Sequence, residues 1–177
     1  MTKWQQAGRK VVPVSINIAP IEFLRDDCAE RLLARLRQYQ VAPEWIQVEI
    51  TEHIFLHHGR DFVTRALSLL REKGIKIALD DFGTGYSSLT HLRDYAVDYL
   101  KIDCQFVQKM EADPAIFAIV KVLCQLAPSF ALEVVAEGIE TTQQKEMLLN
   151  VGCDYGQGFL CGEAISAQEV LSLLENT

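Results

Sequence analysis

The sequence predicts an α/β domain of alternating parallel strands and helices, and two observations carry that prediction. Six short apolar runs of strand length alternate with six helical patterns along the 177 residues. A polar or charged residue falls at the C-terminal end of every run: Asn17, Glu49, Asp80 with Asp81, Lys101, Glu137 and Gln157. Strict alternation implies parallel strands joined by right-handed crossovers. That leaves an open doubly wound sheet or a (β/α) barrel. No GxGxxG or P-loop follows any strand, which weighs against a nucleotide-binding doubly wound sheet. One polar group at the same end of each strand is what the catalytic mouth of a barrel requires.

The elements follow in order. Residues 11–18 (VVPVSINI) read as a strand with Pro13 near its start and Asn17 near its end. Residues 22–40 carry Phe23, Leu24, Leu32, Leu33 and Leu36 among many charges, an amphipathic helix. IQVEIT at 46–51 is a second strand, interrupted by Glu49. Between Asp61 and Lys73 the apolar residues recur at helical spacing, and Gly74 is a plausible stop. Then comes KIALDDFGTG at 76–85, a buried strand ending in two carboxylates and a glycine loop. A short helix is expected over 86–95, a fourth strand over 99–103 (YLKID), and a helix over 115–126. LEVVA at 132–136 is a fifth strand running into EGIE. A helix capped by Thr141 is expected over 141–151, a sixth strand over 155–160, and a closing helix over 167–174.

Composition narrows the function. A formal charge of −7 with no basic run argues against binding a nucleic-acid polymer. No apolar run reaches the length of a membrane span, and the first ten residues lack the apolar segment of a secretory signal. Five cysteines at scattered spacing, with no CxxC, fit reduced thiols in a cytoplasm and a role as small core hydrophobes.

Adjacent carboxylates at a strand end belong either to a solvated turn or to a site for hard cations. Phosphodiester hydrolysis needs a hydroxide at neutral pH and neutralised phosphoryl oxygens, and two divalent cations about 3.5–4 Å apart supply both. Asn17, Glu49, Asp80, Asp81 and Glu137 offer the oxygen ligands such cations take. Lys101 beside them is expected to have a destabilised ammonium, so that it holds the nucleophilic water or shares a general-base role with Glu137. Gln157 can hydrogen-bond a water or a phosphate oxygen. The bland alternatives are an exposed strand end or helix cap for Glu49 and Glu52, and a cap for Asn17. His53, His57, His58 and His91 lie away from the strand-end pattern and read as surface residues.

These residues resemble those of the EAL family of cyclic di-GMP phosphodiesterases. The matching pieces are SINI at 15–18, EITE at 49–52, DDFGTGYSSL at 80–89, KID at 101–103, EGIE at 137–140 and DYGQGF at 154–159. The resemblance implies a TIM-like (β/α) barrel that hydrolyses cyclic di-GMP to the linear dinucleotide with Mg²⁺ or Mn²⁺, two ions in a complete site. It implies that Asp80 bridges the ions, that Glu52 holds the glycine loop, and that Asp103 and Glu140 support the site around Lys101. It also implies bacterial second-messenger signalling in the cytoplasm, or at the cytoplasmic face of a membrane-anchored parent. Dimerisation through helices near 86–94 and 112–126, and sensory or GGDEF-type domains in a longer parent chain, are further expectations.

Two departures accompany the resemblance. The family has two strands ahead of the one at 11–18, and the second carries the Glu-Ala-Leu motif with a metal-binding Glu. No such tripeptide occurs here. The chain therefore reads as a single partial EAL domain over 1–177, a fragment or a shortened protein. Alone it is expected to turn over little cyclic di-GMP and to self-associate through open edges and exposed apolar barrel interior. Where the family has a Ser-Arg/Lys-Pro stretch after the last strand, CGEAIS stands at 161–166. The alternative reading is a catalytically inactive module that binds cyclic di-GMP or a partner protein.

Overall fold

A computed structural model describes residues 11–23, 25–55, 60–83 and 96–175. Six parallel strands form one sheet in sequential order: β1 (Val14–Asn17), β2 (Ile46–Thr51), β3 (Lys76–Phe82), β4 (Tyr99–Ile102), β5 (Glu133–Ala136) and β6 (Tyr155–Gly156). The order never reverses, so there is no switch point of the kind that defines a doubly wound sheet. This is the progression of barrel staves, with β1 and β6 as the two sheet edges among the described residues.

The helices are α1 (Pro20–Phe23), α2 (Cys28–Gln38), α3 (Arg60–Glu72), α4 (Cys104–Lys109), α5 (Pro114–Leu126), α6 (Thr142–Val151) and α7 (Ala167–Glu175). The expected helix at 22–40 is two helices, broken over residues 25–27. α4 had no counterpart in the sequence reading. It starts because Asp103 leaves the strand and its carboxylate accepts from the Gln105 N–H at 2.8 Å, the geometry of an N-cap. The expected helix at 86–95 and the loop residues beyond Gly83 lie outside the described residues, as do His57, His58 and His91.

Parallel pairing aligns Asn17 with Glu49, Glu49 with Ala78, and Ala78 with Tyr99. Residues two apart on a strand share a face. One face therefore presents Val48, Ile50, Ile77, Leu79, Leu100, Ile102, Val134 and Ala136, all buried against the helices in a single core. The other presents Ser15, Gln47, Lys76, Tyr99, Glu133 and Tyr155 below, and Asn17, Glu49, Asp80 and Lys101 at the C-terminal rim. The expectation of an apolar interior is thus corrected. Among the described residues Ala78, Val135 and the packed rings of Tyr99 and Tyr155 give this otherwise polar inner face its apolar surface.

Two further expectations are corrected. The sixth strand is two residues long rather than six, because the chain turns at Gly158 to Cys161. A Cβ on Gly158 would stand 2.2 Å from the Ile139 backbone nitrogen, so only glycine permits this close approach. Nor are the cysteines uniformly core residues: Cys124 is buried, Cys28, Cys104 and Cys153 are half-buried, and Cys161 is exposed.

Candidate active site

The rim of the inner face gathers charge around Lys101. Its side chain is 4% exposed, and its Nζ lies 2.8 Å from Glu49 Oε2, 3.0 Å from Asp80 Oδ1 and 2.7 Å from Glu137 Oε1. The carboxylates arrive from β2, β3 and the residue after β5 to meet Lys101 on β4, so the cluster depends on four adjacent staves in register. Glu137 is fixed by its own N–H, which donates to the Ile102 carbonyl at 3.1 Å. Gln157 reaches across from β6 and donates to Glu137 Oε1 at 2.7 Å. Its backbone N–H is held by the Ala136 carbonyl.

The two adjacent aspartates meet this cluster through a β-bulge. Between Leu79 and Phe82 the β3–β4 register shifts, so that Asp80 and Asp81 together stand opposite Lys101. Asp81 takes the left-handed conformation, φ +55°. Regular alternation would send the two side chains to opposite faces; an extra residue in the strand redirects one of them. Asp80, Asp81 and Glu137 consequently each offer an oxygen within 4.8 Å of the others. The strand continues through Phe82, so the acids converge by a bulge within it rather than by its giving way to loop.

Electrostatics follow from the packing. Burial pushes the Glu137 carboxyl up in spite of the hydrogen bond from Lys101. Burial, then the neighbouring Asp80 and Asp103 charges, push Asp81 up as well. Lys101 moves in the direction opposite to the sequence expectation. Burial opposes its charge, but hydrogen bonds to Glu137, Glu49 and Asp80 outweigh this and hold it as an ammonium.

The remaining sequence candidates are placed as follows. Asn17 is exposed on β1, in register with Glu49. Glu52 Oε1 accepts from the Gly83 N–H at 3.0 Å, while its Oε2 is buried without a hydrogen-bond partner among the described residues. Asp103 is buried and caps α4, and its charge bears on Asp81. Glu140 is exposed and accepts from Gln108 on α4 at 3.4 Å.

Sequence reasoning missed the charge cluster at the other end of the strands. Asp98 Oδ1 accepts from Lys76 Nζ at 3.0 Å and Arg71 Nη2 at 3.2 Å, and its Oδ2 accepts from the Ile77 N–H at 3.0 Å. Asp154 likewise accepts from the Val134 N–H at 2.7 Å. Both acids immediately precede the strand next in line, at the N-terminal rather than the C-terminal end of the strands.

Known proteins resemble this chain in sequence and fold. The EAL domain family model matches residues 1–164. The chain is 40% identical over 164 residues to the probable cyclic di-GMP phosphodiesterase PdeB of Escherichia coli, covering 92% of this chain and 30% of PdeB. It is 32% identical over 172 residues to the bifunctional diguanylate cyclase/cyclic di-GMP phosphodiesterase MucR of Pseudomonas aeruginosa, covering 97% of this chain and 25% of MucR. The solved MucR phosphodiesterase in complex with c-di-GMP superposes with a TM-score of 0.88 at 32% identity, over 97% of this chain and 69% of that one. The BlrP1 manganese/cyclic-di-GMP complex of Klebsiella pneumoniae gives 0.79 at 30% identity, over 90% and 41%. The chain spans between a fifth and a third of the length of these and the other curated relatives it matches. The family model spans most of the chain, and the chain belongs to the EAL domain family.

Proposed function

We propose that residues 1–177 form one partial EAL domain carrying most of the catalytic rim of a cyclic di-GMP phosphodiesterase that releases the linear dinucleotide. The observation that carries this is the convergence of Glu49, Asp80 and Glu137 on Lys101, with Asp81 turned to the same side by the bulge. Four carboxylates against one ammonium leave the rim strongly anionic, a poor match to a phosphodiester until cations neutralise it.

The donor set fits divalent cations. Asp80, Asp81 and Glu137 present hard oxygen atoms within 4.8 Å of one another. Glu49 stands on the neighbouring β2 in register with Ala78, and the Asn17 amide on β1 in register with Glu49. These five residues would hold Mg²⁺ or Mn²⁺, two ions in a complete site. When bound, such ions supply a hydroxide at neutral pH and neutralise phosphoryl oxygens.

The chain's own groups do the rest. Glu137, raised in pKa by burial, accepts a proton from the attacking water, and the Gln157 amide keeps its Oε1 oriented. The hydrogens of the Lys101 ammonium face three carboxylates, which favours holding and orienting the rim over taking a proton. Glu52 anchors the turn at Gly83, and Asp103 caps α4 while its charge helps raise the Asp81 carboxyl.

The wider reading places this rim in bacterial signalling in the cytoplasm, or at the cytoplasmic face of a longer parent with sensory or GGDEF-type domains. The length of the relatives supports such a parent, and no helix among the described residues is long and apolar enough to cross a membrane. Ile119 and Val122, exposed on α5, support a homodimer through that helix. The test is turnover of cyclic di-GMP by this chain joined to a Glu-Ala-Leu strand. Mg²⁺- or Mn²⁺-dependent linear dinucleotide is expected. Binding of cyclic di-GMP without any turnover would overturn the catalytic reading in favour of a binding module.

A further inference from the structure

Glu137 is held at the rim by its side-chain partners, but the segment that carries it is fastened by a residue with no part in the mechanism. Residues 137–140 leave β5 and lead through Thr141 into α6. Backbone bonds fix the first half of this turn. The Glu137 N–H donates to the Ile102 carbonyl at 3.1 Å, and the Ile139 N–H to the Gln157 carbonyl at 3.0 Å. Gly138 between them takes φ +69°, and a Cβ there would stand 2.5 Å from the Cys104 Cβ, so the turn lies directly against the start of α4. The second half is fastened from α6. The N–H groups of Glu140 and Thr141 both donate to Gln144 Oε1, at 2.8 and 3.1 Å. Gln144 is 5% exposed and stands one helical turn before the buried Leu148, on the face of α6 turned to the core. An amide is costly at such a position unless its polar atoms are bonded. A capping box accounts for the Thr141 N–H. The shorter bond, to the Glu140 N–H, goes beyond capping and reaches into the turn.

We propose that Gln144 is a positioning residue for the reaction, holding the 137–140 turn so that the Glu137 carboxylate stays between Lys101 and Gln157. The inference rests on the phosphodiesterase reading given above and extends it to a helix outside the rim. The path is short. Glu137 Oε1 accepts from Lys101 Nζ at 2.7 Å and from the Gln157 amide at 2.7 Å, so displacing the turn strains both bonds at once. The bond from the Ile139 N–H to the Gln157 carbonyl ties the same turn to β6. That strand pairs with β5 through two registered residues, and the turn is a further support for Gln157.

Capping alone would make Gln144 and Thr141 equivalent, because each supplies one half of the box. The Gln144 N–H donates to Thr141 Oγ1 at 3.0 Å, and Thr141 Oγ1 donates in turn to Glu111. Of the two side chains, only Gln144 also takes the Glu140 N–H. Substituting each in turn therefore separates the capping of α6 from the holding of the turn.

The experiment compares Gln144→Leu, Gln144→Glu and Thr141→Ala with wild type. Steady-state kinetics with cyclic di-GMP and saturating Mn²⁺ use the chain joined to a Glu-Ala-Leu strand, and amide hydrogen exchange uses the metal-free 177-residue chain. Gln144→Leu is expected to lower kcat by about tenfold with KM within about threefold of wild type. Exchange at Ile139, whose own acceptor is untouched, should become about tenfold faster. Gln144→Glu offers a carboxylate to the same two N–H groups and should keep kcat within about threefold and Ile139 slow. Thr141→Ala should lower the thermal midpoint and leave both readouts near wild type. If Gln144→Leu does not fold, Gln144→Asn, one methylene short of the turn, takes its place with the same expectations. Wild-type kcat in Gln144→Leu, an equal loss in Thr141→Ala, or no recovery in Gln144→Glu would overturn the inference while wild type still turns over. Absence of turnover in wild type would overturn the phosphodiesterase reading instead. The exchange measurement still decides in that case whether Gln144 holds the turn, and an unchanged rate at Ile139 in Gln144→Leu would overturn it.

Discussion

Two ion clusters sit at opposite ends of the same strands, and they are built on opposite principles. At the N-terminal end Asp98 is one carboxylate serving two cations and a backbone N–H, so every partner is satisfied. Arg71 and Lys76 are 41% and 56% exposed and can rehydrate if the acid is lost. At the C-terminal end Lys101 is one ammonium among four acids, and its side chain is 4% exposed. A cluster whose carboxylate is fully hydrogen-bonded and whose cations reach solvent closes a seam between strands; a buried cluster with surplus negative charge stores repulsion that an added cation relieves. In barrels of this fold class the C-terminal ends of the strands carry the chemistry and the N-terminal ends the stability, and the two clusters differ in the corresponding sense.

The largest effect should fall on the surplus charge. In a catalytically complete chain, Asp80→Asn and Asp81→Gly should each lower turnover by about 10³-fold or more while the thermal midpoint stays close to wild type. Glycine at 81 accepts the φ of +55°. This variant therefore keeps the bulge and removes only the carboxylate. Turnover within tenfold of wild type for either protein would dissolve the distinction between the two ends.

Asp98→Ala should show the reverse pattern. It leaves the Ile77 N–H and both cations without their acceptor, at a cost of about 1–3 kcal/mol read from denaturant unfolding. Metal-dependent turnover per folded molecule should be unchanged. A specific loss of turnover would mean that this end is coupled to the rim.

A smaller, mixed effect is expected between these extremes. Gly158→Ala drives a Cβ into the Ile139 backbone, costing about 1–3 kcal/mol, and shifts the chain next to Gln157. Turnover should fall by about tenfold through the lost restraint on Glu137, with metal affinity little changed. Wild-type stability would show that the turn relaxes freely. Arg71→Ala should do least, about 0–1 kcal/mol, because its ion pair is solvated.

How far the sequence carried the reading can be judged from particular residues. Parallel alternation and the rim were legible because each strand announces itself by an apolar run and each rim residue breaks that run at its end. Glu49, Lys101 and Glu137 are such breaks. The bulge at Asp80 and Asp81 was not, because nothing in DDF distinguishes an extra strand residue from a loop; pairing with β4 decides it. Asp98 was missed because its partners, Arg71, Lys76 and Ile77, are 21 to 27 residues away. The shortness of β6 depends on Gly158 meeting Ile139, again a contact between segments. The charge state expected of Lys101 failed for the same reason: a lysine in an apolar run looks desolvated until three carboxylates from other strands are placed around it.

Mn²⁺ binding followed by calorimetry or electron paramagnetic resonance tests the contrast most directly, on wild type, on the double variant Asp80→Asn/Asp81→Asn, and on Asp98→Asn. If the C-terminal rim is a cation site, wild type and Asp98→Asn bind Mn²⁺ alike, and the double variant binds at least about 100-fold more weakly. Equal binding by all three proteins, or a loss confined to Asp98→Asn, would contradict it.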